Sequence, residues 1–466
     1  MRKSAVFHFP SSFREYVRVS KSLNRKEEQY VKERQAMVEK CLKDNGIKYK
    51  QEHVPVIAVL GSGGGERAMV GLLGSLAQMA EEKLLDSITY LCGVSGSTWC
   101  MASLYEDPKW SVNVAADKKK IVDRLSNGSF SKSDMLKWLS VAVEDENYSL
   151  TDFWAATVVY NIIKEIDRHH LSEQEARDST NPYPIYTAID KGLKEDNQTA
   201  PCWFEISPHE AGYSHVGAYV DTSLFGSQFE NGKPKTPPKE EDMLYLQGLC
   251  GSALGDGKEN ITQILQWIWD WIHIPDIVRK TIIALYNWTW GTKFNFLYNI
   301  TGSALCPEVE HIPAALLSDE KRDLEDAGIL LNSPYVAALR SERKVDLILS
   351  FDFSSDDPFL TVKKAADYCK EAGRPFPSLV IEPGEEKNPK DFYVFKDNTK
   401  APIVVHFPLF NTVNCGEKIE KWRKRYKTFQ GPYSKEMIED LLLVSSRNVK
   451  NNKQKILNEI QAACAR

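Results

Sequence analysis

Two short apolar runs, each closing on glycine, organise the first hundred residues. Val54-Pro55-Val56-Ile57-Ala58-Val59-Leu60 has the length and β-branched content of a buried strand and feeds directly into Gly61-Ser62-Gly63-Gly64-Gly65-Glu66-Arg67-Ala68. From Arg67 to about Asp86 the apolar positions Met69, Leu72, Leu73, Leu76, Met79 and Ala80 fall at helical spacing. Ser87-Ile88-Thr89-Tyr90-Leu91 then reads as a second buried strand and leads into Cys92-Gly93-Val94-Ser95-Gly96-Ser97. The predicted unit is strand, glycine loop, helix, strand, tight turn. A right-handed crossover sets the two strands parallel and puts both loops at their carboxyl ends, where open α/β sheets bind ligands.

The rest of the chain continues an α/β pattern. Residues 24–44 read as a helix capped by Asn24, with Glu27 completing a capping box and Asp44-Asn45-Gly46 as the stop. Residues 101–225 are mixed, and 226–242 form a polar, Pro/Gly-rich loop with the composition of a mobile segment. A helix is predicted over 244–254. Residues 261–298 then hold Trp267, Trp269, Trp271, Trp288 and Trp290, interrupted by Asp270, His273, Pro275, Asp276, Arg279 and Lys280. No uninterrupted span long enough to cross a bilayer results, so the stretch reads as a packed layer or an interfacial cap. A strand at 345–353, a helix at 361–372, a strand at 402–407 and a helical tail from 435 to 463 complete the pattern. The sheet is therefore built from both halves of the chain.

Composition narrows the function. The 466 residues can bury a large core, and nine scattered cysteines without C-x-x-C spacing favour a reducing compartment. The formal charge of −5 is uneven, about +7 over residues 1–50 and +6 over 416–466, which leaves about −18 in between. With no basic stripe through the body, nucleic acid is excluded as the expected partner, and basic ends suit an anionic membrane surface. The amino-terminal ten residues lack the long apolar core of a secretory signal.

Ser95, bracketed by Gly93 and Gly96, has the small neighbours that a strand-to-helix elbow needs, although Ser97 occupies the fifth position of G-x-S-x-G. The bland alternative is a tight turn with a satisfied serine. The glycine loop matches neither a P-loop nor a dinucleotide fingerprint, but successive glycines let backbone N–H groups converge on one small anion. His169-His170 has no metal spacing around it, and Asp352, Asp356 and Asp357 read as loop-capping acids. For a base, the order Ser95, Asp326, His406 would suit a triad, while Ser95 with Asp326 alone would be a dyad. Spacing leaves both open.

Gly61-Ser62-Gly63-Gly64-Gly65-Glu66-Arg67-Ala68-Met69, Gly93-Val94-Ser95-Gly96-Ser97, Asp326-Ala327-Gly328 and Leu347-Ile348-Leu349-Ser350-Phe351-Asp352-Phe353-Ser354 together resemble the group IV cytosolic phospholipase A2 family. The carboxyl-terminal motifs Asp367-Tyr368-Cys369, Pro375-Phe376-Pro377 and 405–411 are similar to its gamma type. The resemblance implies a patatin-like α/β acylhydrolase fold, with a central mostly parallel sheet flanked by helices and a helical cap insertion. The whole chain would be one catalytic domain: core at about 50–130 and 300–415, cap at about 200–300, helical tail at 430–466. No calcium-binding lipid-targeting domain is expected. It implies Ser95 as nucleophile, Asp326 as its activating partner, Gly64 and Gly65 as oxyanion donors, and Arg67 and Arg343 as ligands for the substrate phosphate. No metal or cofactor is expected, and the implied reaction is calcium-independent phospholipase A2 and lysophospholipase chemistry, with transacylation as a further outcome. Glycerophospholipid and lysophospholipid substrates, a phospholipid membrane surface as partner, and a cytoplasmic location peripheral to intracellular membranes follow. Ala327 stands where Ser or Gly is usual after the aspartate, and Cys464-Ala465-Arg466 is too short for a prenylation box. A catalytically silent lipid-binding protein and a soluble small-ester hydrolase are the rival readings.

Overall fold

The computed structural model describes residues 16–50, 53–235, 237–252, 265–266, 274–300, 311–397, 400–428 and 430–466. In chain order its strands are β1 (Val17–Val19), β2 (Ile57–Gly61), β3 (Tyr90–Gly93), β4 (Tyr183–Asp190), β5 (Trp203–Ile206), β6 (Glu210–Tyr213) and β7 (Ala218–Asp221). There follow the hairpin β8 (Phe229–Glu230) and β9 (Lys233–Pro234), then β10 (Thr292–Phe294), β11 (Lys321–Asp326), β12 (Leu347–Asp352), β13 (Tyr393–Phe395) and β14 (Ile403–Pro408). The main sheet runs β1-β7-β6-β5-β4-β3-β2-β12-β14-β13, with β11 also paired to β4 and β10 to β11. Its centre, β4-β3-β2-β12-β14, is wholly parallel, and its flanks are antiparallel. Every residue of these five strands is buried, as a sheet covered by helices on both faces requires.

Helix α2 (Glu66–Glu81) makes the β2-to-β3 crossover, and α3 (Gly96–Leu104) leaves β3. The chain adds β3 and β4 on one side of β2 and β12 on the other, so the glycine loop after β2 lies at a topological switch point, where such sheets bind ligands. The helix Lys435–Lys450 packs on α2 so closely that a Cβ on Gly74 would lie 2.2 Å from Ser445 Oγ.

Several expectations change in the fold. Helix α1 (Arg25–Asp44) is capped by Asn24, whose Oδ1 accepts from Lys26 N–H at 2.8 Å. Glu27 completes no capping box, because its carboxylate is buried and accepts from Tyr90 Oη–H at 3.0 Å and Arg343 Nε–H at 2.9 Å. The expected cap region also starts later than residue 200, since 203–221 supplies three antiparallel strands of the main sheet. Within it, the helix Met243–Cys250 is fastened to α3 by Trp99 Nε1–H donating to Gln247 O at 2.9 Å. Trp267, Trp269 and Trp271 lie outside the described residues. Asp352 and Asp357 do cap loops, accepting from Ser354 N–H and Phe359 N–H at 2.8 Å each.

Candidate active site

One edge of β4 brings two distant parts of the sequence together. The edge pairs with β3 in parallel, Gly93 facing Tyr186, and then with β11 in antiparallel, Asp326 facing Ala188. The opposite edge is taken by β5 over the same residues. Strands β3 and β11 therefore run toward each other along one edge and end two β4 positions apart, about 7 Å at ordinary strand rise. The Ser95 elbow grows from one end and Asp326 closes the other. Asp326 is fully buried, and its Oδ1 accepts from Gly328 N–H at 2.8 Å.

Ser95 has φ +53° and ψ −126°, a conformation that costs a side-chain-bearing residue about 1–3 kcal/mol and persists only when surroundings enforce it. The enforcement is visible. Ser95 O accepts from Thr98 N–H at 2.8 Å and Thr98 Oγ1–H at 2.5 Å, and Val94 N–H donates to Gly61 O at 3.1 Å. Ser97 is occupied structurally, its Oγ–H donating to Ser62 O at 2.6 Å. Gly96 lies against the glycine loop so tightly that a Cβ there would meet Gly65 O at 1.9 Å.

In that loop Gly64 has φ +151° and Gly65 φ +59°, angles that favour glycine. No backbone acceptor among the described residues takes the N–H of Gly64 or Gly65. Both α2 and α3 begin here, at Gly65 and Ser95, so two helix N-termini converge on one spot. Asn332 pins the loop from the other side. Its carbonyl accepts from Gly63 N–H at 3.0 Å, and its Nδ2–H donates to Gly63 O at 3.2 Å and Ser354 Oγ at 3.1 Å. Sequence reading passed over this residue, because an asparagine six positions after Asp326 carries no motif of its own. A cavity lined by Gly65, Ser95, Trp99, Trp154, Val158 and Ile162 opens beside the elbow. Val158 comes from a π-helical turn, Ala155–Val159, a local form that recurs at functional sites.

A family model for the lysophospholipase catalytic domain matches residues 57–257. Human cytosolic phospholipase A2 gamma is 34% identical over 95% of this chain and 96% of its own length. The mouse gamma protein is 33% identical over 89% of this chain and 87% of its own. The chain belongs to the cytosolic phospholipase A2 family. The fold agrees: a solved structure of human group IVD cytosolic phospholipase A2 superposes with a TM-score of 0.80 at 23% identity, over 98% of this chain and 69% of that one. This protein is thus a phospholipase of the phospholipase A2/lysophospholipase type, acting on phospholipids.

Of the residues expected at the phospholipase site, two sit elsewhere or otherwise than expected. Arg343 is buried beneath Tyr90, about 10 Å of strand below the carboxyl end of β3. Its guanidinium is held by Glu27 and by Glu205, the latter at 2.7 Å. Burial alone would lower its pKa, but the two carboxylates raise it well above the ordinary value, so it is a stabilised internal cation with no reach to the crevice. The phosphate role expected of Arg343 is therefore withdrawn. Arg67 is at the crevice with all three nitrogens engaged by the protein: Nε–H donates to Phe353 O and Nη1–H to Tyr426 O, both at 2.6 Å, and Nη2–H to Thr428 Oγ1 at 3.2 Å. It has no carboxylate partner among the described residues, and its Nη2 lies 2.8 Å from where a Gly64 Cβ would be.

His406 lies on β14, three strand spacings from β3, about 14 Å. It is buried with Nε2 2.6 Å from Pro358 O, so it is outside reach of Ser95. Glu66, next to the glycine loop, accepts from Tyr433 N–H at 2.9 Å and is otherwise buried without a partner for Oε1. Burial pushes its carboxyl up to about 8, against the opposing pull of that N–H and of Lys164. Among the described residues no group of three or more His, Cys, Asp or Glu is placed to hold a metal ion.

Proposed function

We propose that the phospholipase works through a Ser95/Asp326 dyad and an acyl-enzyme. The observation that carries this is the head-on meeting of β3 and β11 on one edge of β4, which leaves the serine and the aspartate at adjoining strand ends. Ser95 Oγ attacks the ester carbonyl while Asp326 takes its proton. The tetrahedral oxyanion is held by the N–H groups of Gly64 and Gly65, with two helix N-termini behind them. Collapse expels the lysophospholipid alkoxide, which takes the proton back from Asp326. A water then loses its proton to Asp326 and attacks the acyl-serine; the C–Oγ bond breaks, the fatty acid leaves, and Asp326 returns the proton to Ser95 Oγ. A lysophospholipid hydroxyl replacing that water makes the reaction transacylation, and no step requires calcium. Arg67 acts without touching substrate, its buried charge adding positive potential behind Gly64. Phospholipid reaches the site from a membrane surface that the enzyme contacts peripherally; no described helix is long and apolar enough to cross a membrane.

A solved relative, human group IVD cytosolic phospholipase A2 at 25% identity, is described in complex with methyl gamma-linolenyl fluorophosphonate. A fluorophosphonate probe should label the present enzyme once, at Ser95. Labelling and phosphatidylcholine hydrolysis should both vanish in Ser95→Ala, and hydrolysis should fall at least about 10³-fold in Asp326→Asn with its fold intact. Label found on another residue, or hydrolysis surviving in Ser95→Ala, would reject the dyad.

A further inference from the structure

We propose that the outer face of the helix Pro275–Asn287 seats the enzyme on a zwitterionic phospholipid bilayer by hydrophobic insertion. This rests on the reading that substrate is drawn from a lipid surface. The helix buries Ile277, Thr281 and Ala284 against the body of the protein. It is pinned there by Thr281 Oγ1 at 2.8 Å from Tyr148 Oη and by Lys280 Nζ donating to Asp145 O at 3.1 Å and to Val143 O. Its outward positions are Ile282 and Ile283, about half exposed, and Tyr286, 90% exposed. A helix fixed on its inner side that turns two isoleucines and a tyrosine to water has the amphipathic form of an interfacial element, with the tyrosine ring suited to headgroup depth.

Three observations select a bilayer as the occupant. The helix is tied at its carboxyl end to a wall of the catalytic cavity. Trp288 at the helix end touches Trp290 at 5.7 Å between ring centroids, and Trp290 touches Trp154, a cavity wall, at 6.4 Å. The exposed Ile329 also follows Asp326 by three residues. Second, the outward face offers little charge: Asp276 and Arg279 lie 3.7 Å apart and offset each other, and the Lys280 ammonium is held inward on the Asp145 and Val143 carbonyls, so attraction to anionic lipid is not what the helix is built for. Third, these few apolar side chains fall far short of the roughly 20–30 residues a side that a stable protein interface employs, whereas insertion needs only a few.

The test is flotation of the full chain with phosphatidylcholine vesicles at 0.1 and 1 M NaCl, comparing wild type with Ile282→Asp/Ile283→Asp and the milder Ile282→Ser/Ile283→Ser. Hydrolysis of short-chain phosphatidylcholine below its micelle concentration reports folding and catalysis. Vesicle partitioning should fall roughly tenfold or more in the aspartate pair and less in the serine pair. Wild-type binding should survive 1 M salt, and monomer hydrolysis should be unchanged in both pairs. Unchanged partitioning, loss of wild-type binding at high salt, or an effect of the substitutions on sedimentation of the free protein without one on vesicle binding would overturn the proposal. A wild type that binds vesicles through this face but hydrolyses neither substrate would leave the proposal standing and reject the catalytic reading instead.

Discussion

Gly96→Ala adds a single carbon at the tightest point of the site. The new Cβ would stand 1.9 Å from Gly65 O, 2.6 Å from Gly65 C and 2.8 Å from Gly65 N, where real contacts keep to at least 3.0 Å. The obstacle is backbone on both sides, so no side-chain rotation relieves it, and the elbow and glycine loop must part by about 1.1 Å. A displacement near 1 Å of a catalytic group is worth about 10²-fold in rate, so kcat on phosphatidylcholine should fall at least that far. Local propensity works the other way, because alanine favours the first turn of α3 over glycine by up to about 1 kcal/mol. The activity loss therefore should appear without a collapse in thermal stability. The assay is initial hydrolysis rate per fluorophosphonate-titrated site, alongside the rate of that labelling. Gly46→Ala is the control: its φ of +69° is unfavourable for alanine by about 1 kcal/mol, but nothing lies within 4 Å, so Tm should drop slightly and kcat stay put. A Gly96→Ala enzyme within fivefold of wild type would refute the claim that Gly65 and Ser95 work as one rigid unit.

His406→Gln keeps an N–H donor for Pro358 O while removing a base, so kcat should change by less than about twofold; a fall of 10³ or more would restore a triad. Arg343→Met leaves Glu27 and Glu205 buried with only Arg340, 3.9 Å from Glu205, as a cation, and should cost about 3–5 kcal/mol in denaturant unfolding, with KM for phospholipid unchanged. A raised KM at unchanged stability would return Arg343 to the substrate site. Glu66 holds its proton in the fold up to about pH 8 but ionises near its ordinary 4.5 when unfolded. The native state then binds more protons than the unfolded one across that window, and stability falls as pH rises through it. Glu66→Gln removes the penalty, so its Tm advantage over wild type should grow from pH 5 to pH 8; an equal difference at both would show that Glu66 is not the buried acid responsible.

Local pattern was enough to identify the strand, loop, helix, strand, elbow unit, because a fully buried parallel strand is a continuous apolar run and sharp turns need glycine. The same holds for β12, β14 and the carboxyl-terminal helices, and for Asn24 as a cap, each determined by contacts within a few residues. Long-range pairing was not written that way. Nothing near Asp326 says that β11 docks on the edge of β4 left open beyond Gly93, yet that register is what brings it beside Ser95. Nor do charges announce their partners. Glu27 looked like a capping-box acid and Arg343 like a phosphate ligand, and they pair inside the protein together with Glu205, because buried carboxylates and a buried guanidinium are tolerable only together. The sequence by itself determined which residues could do the chemistry. Tertiary structure alone decided which of them meet, since a side chain's role depends on neighbours hundreds of residues away.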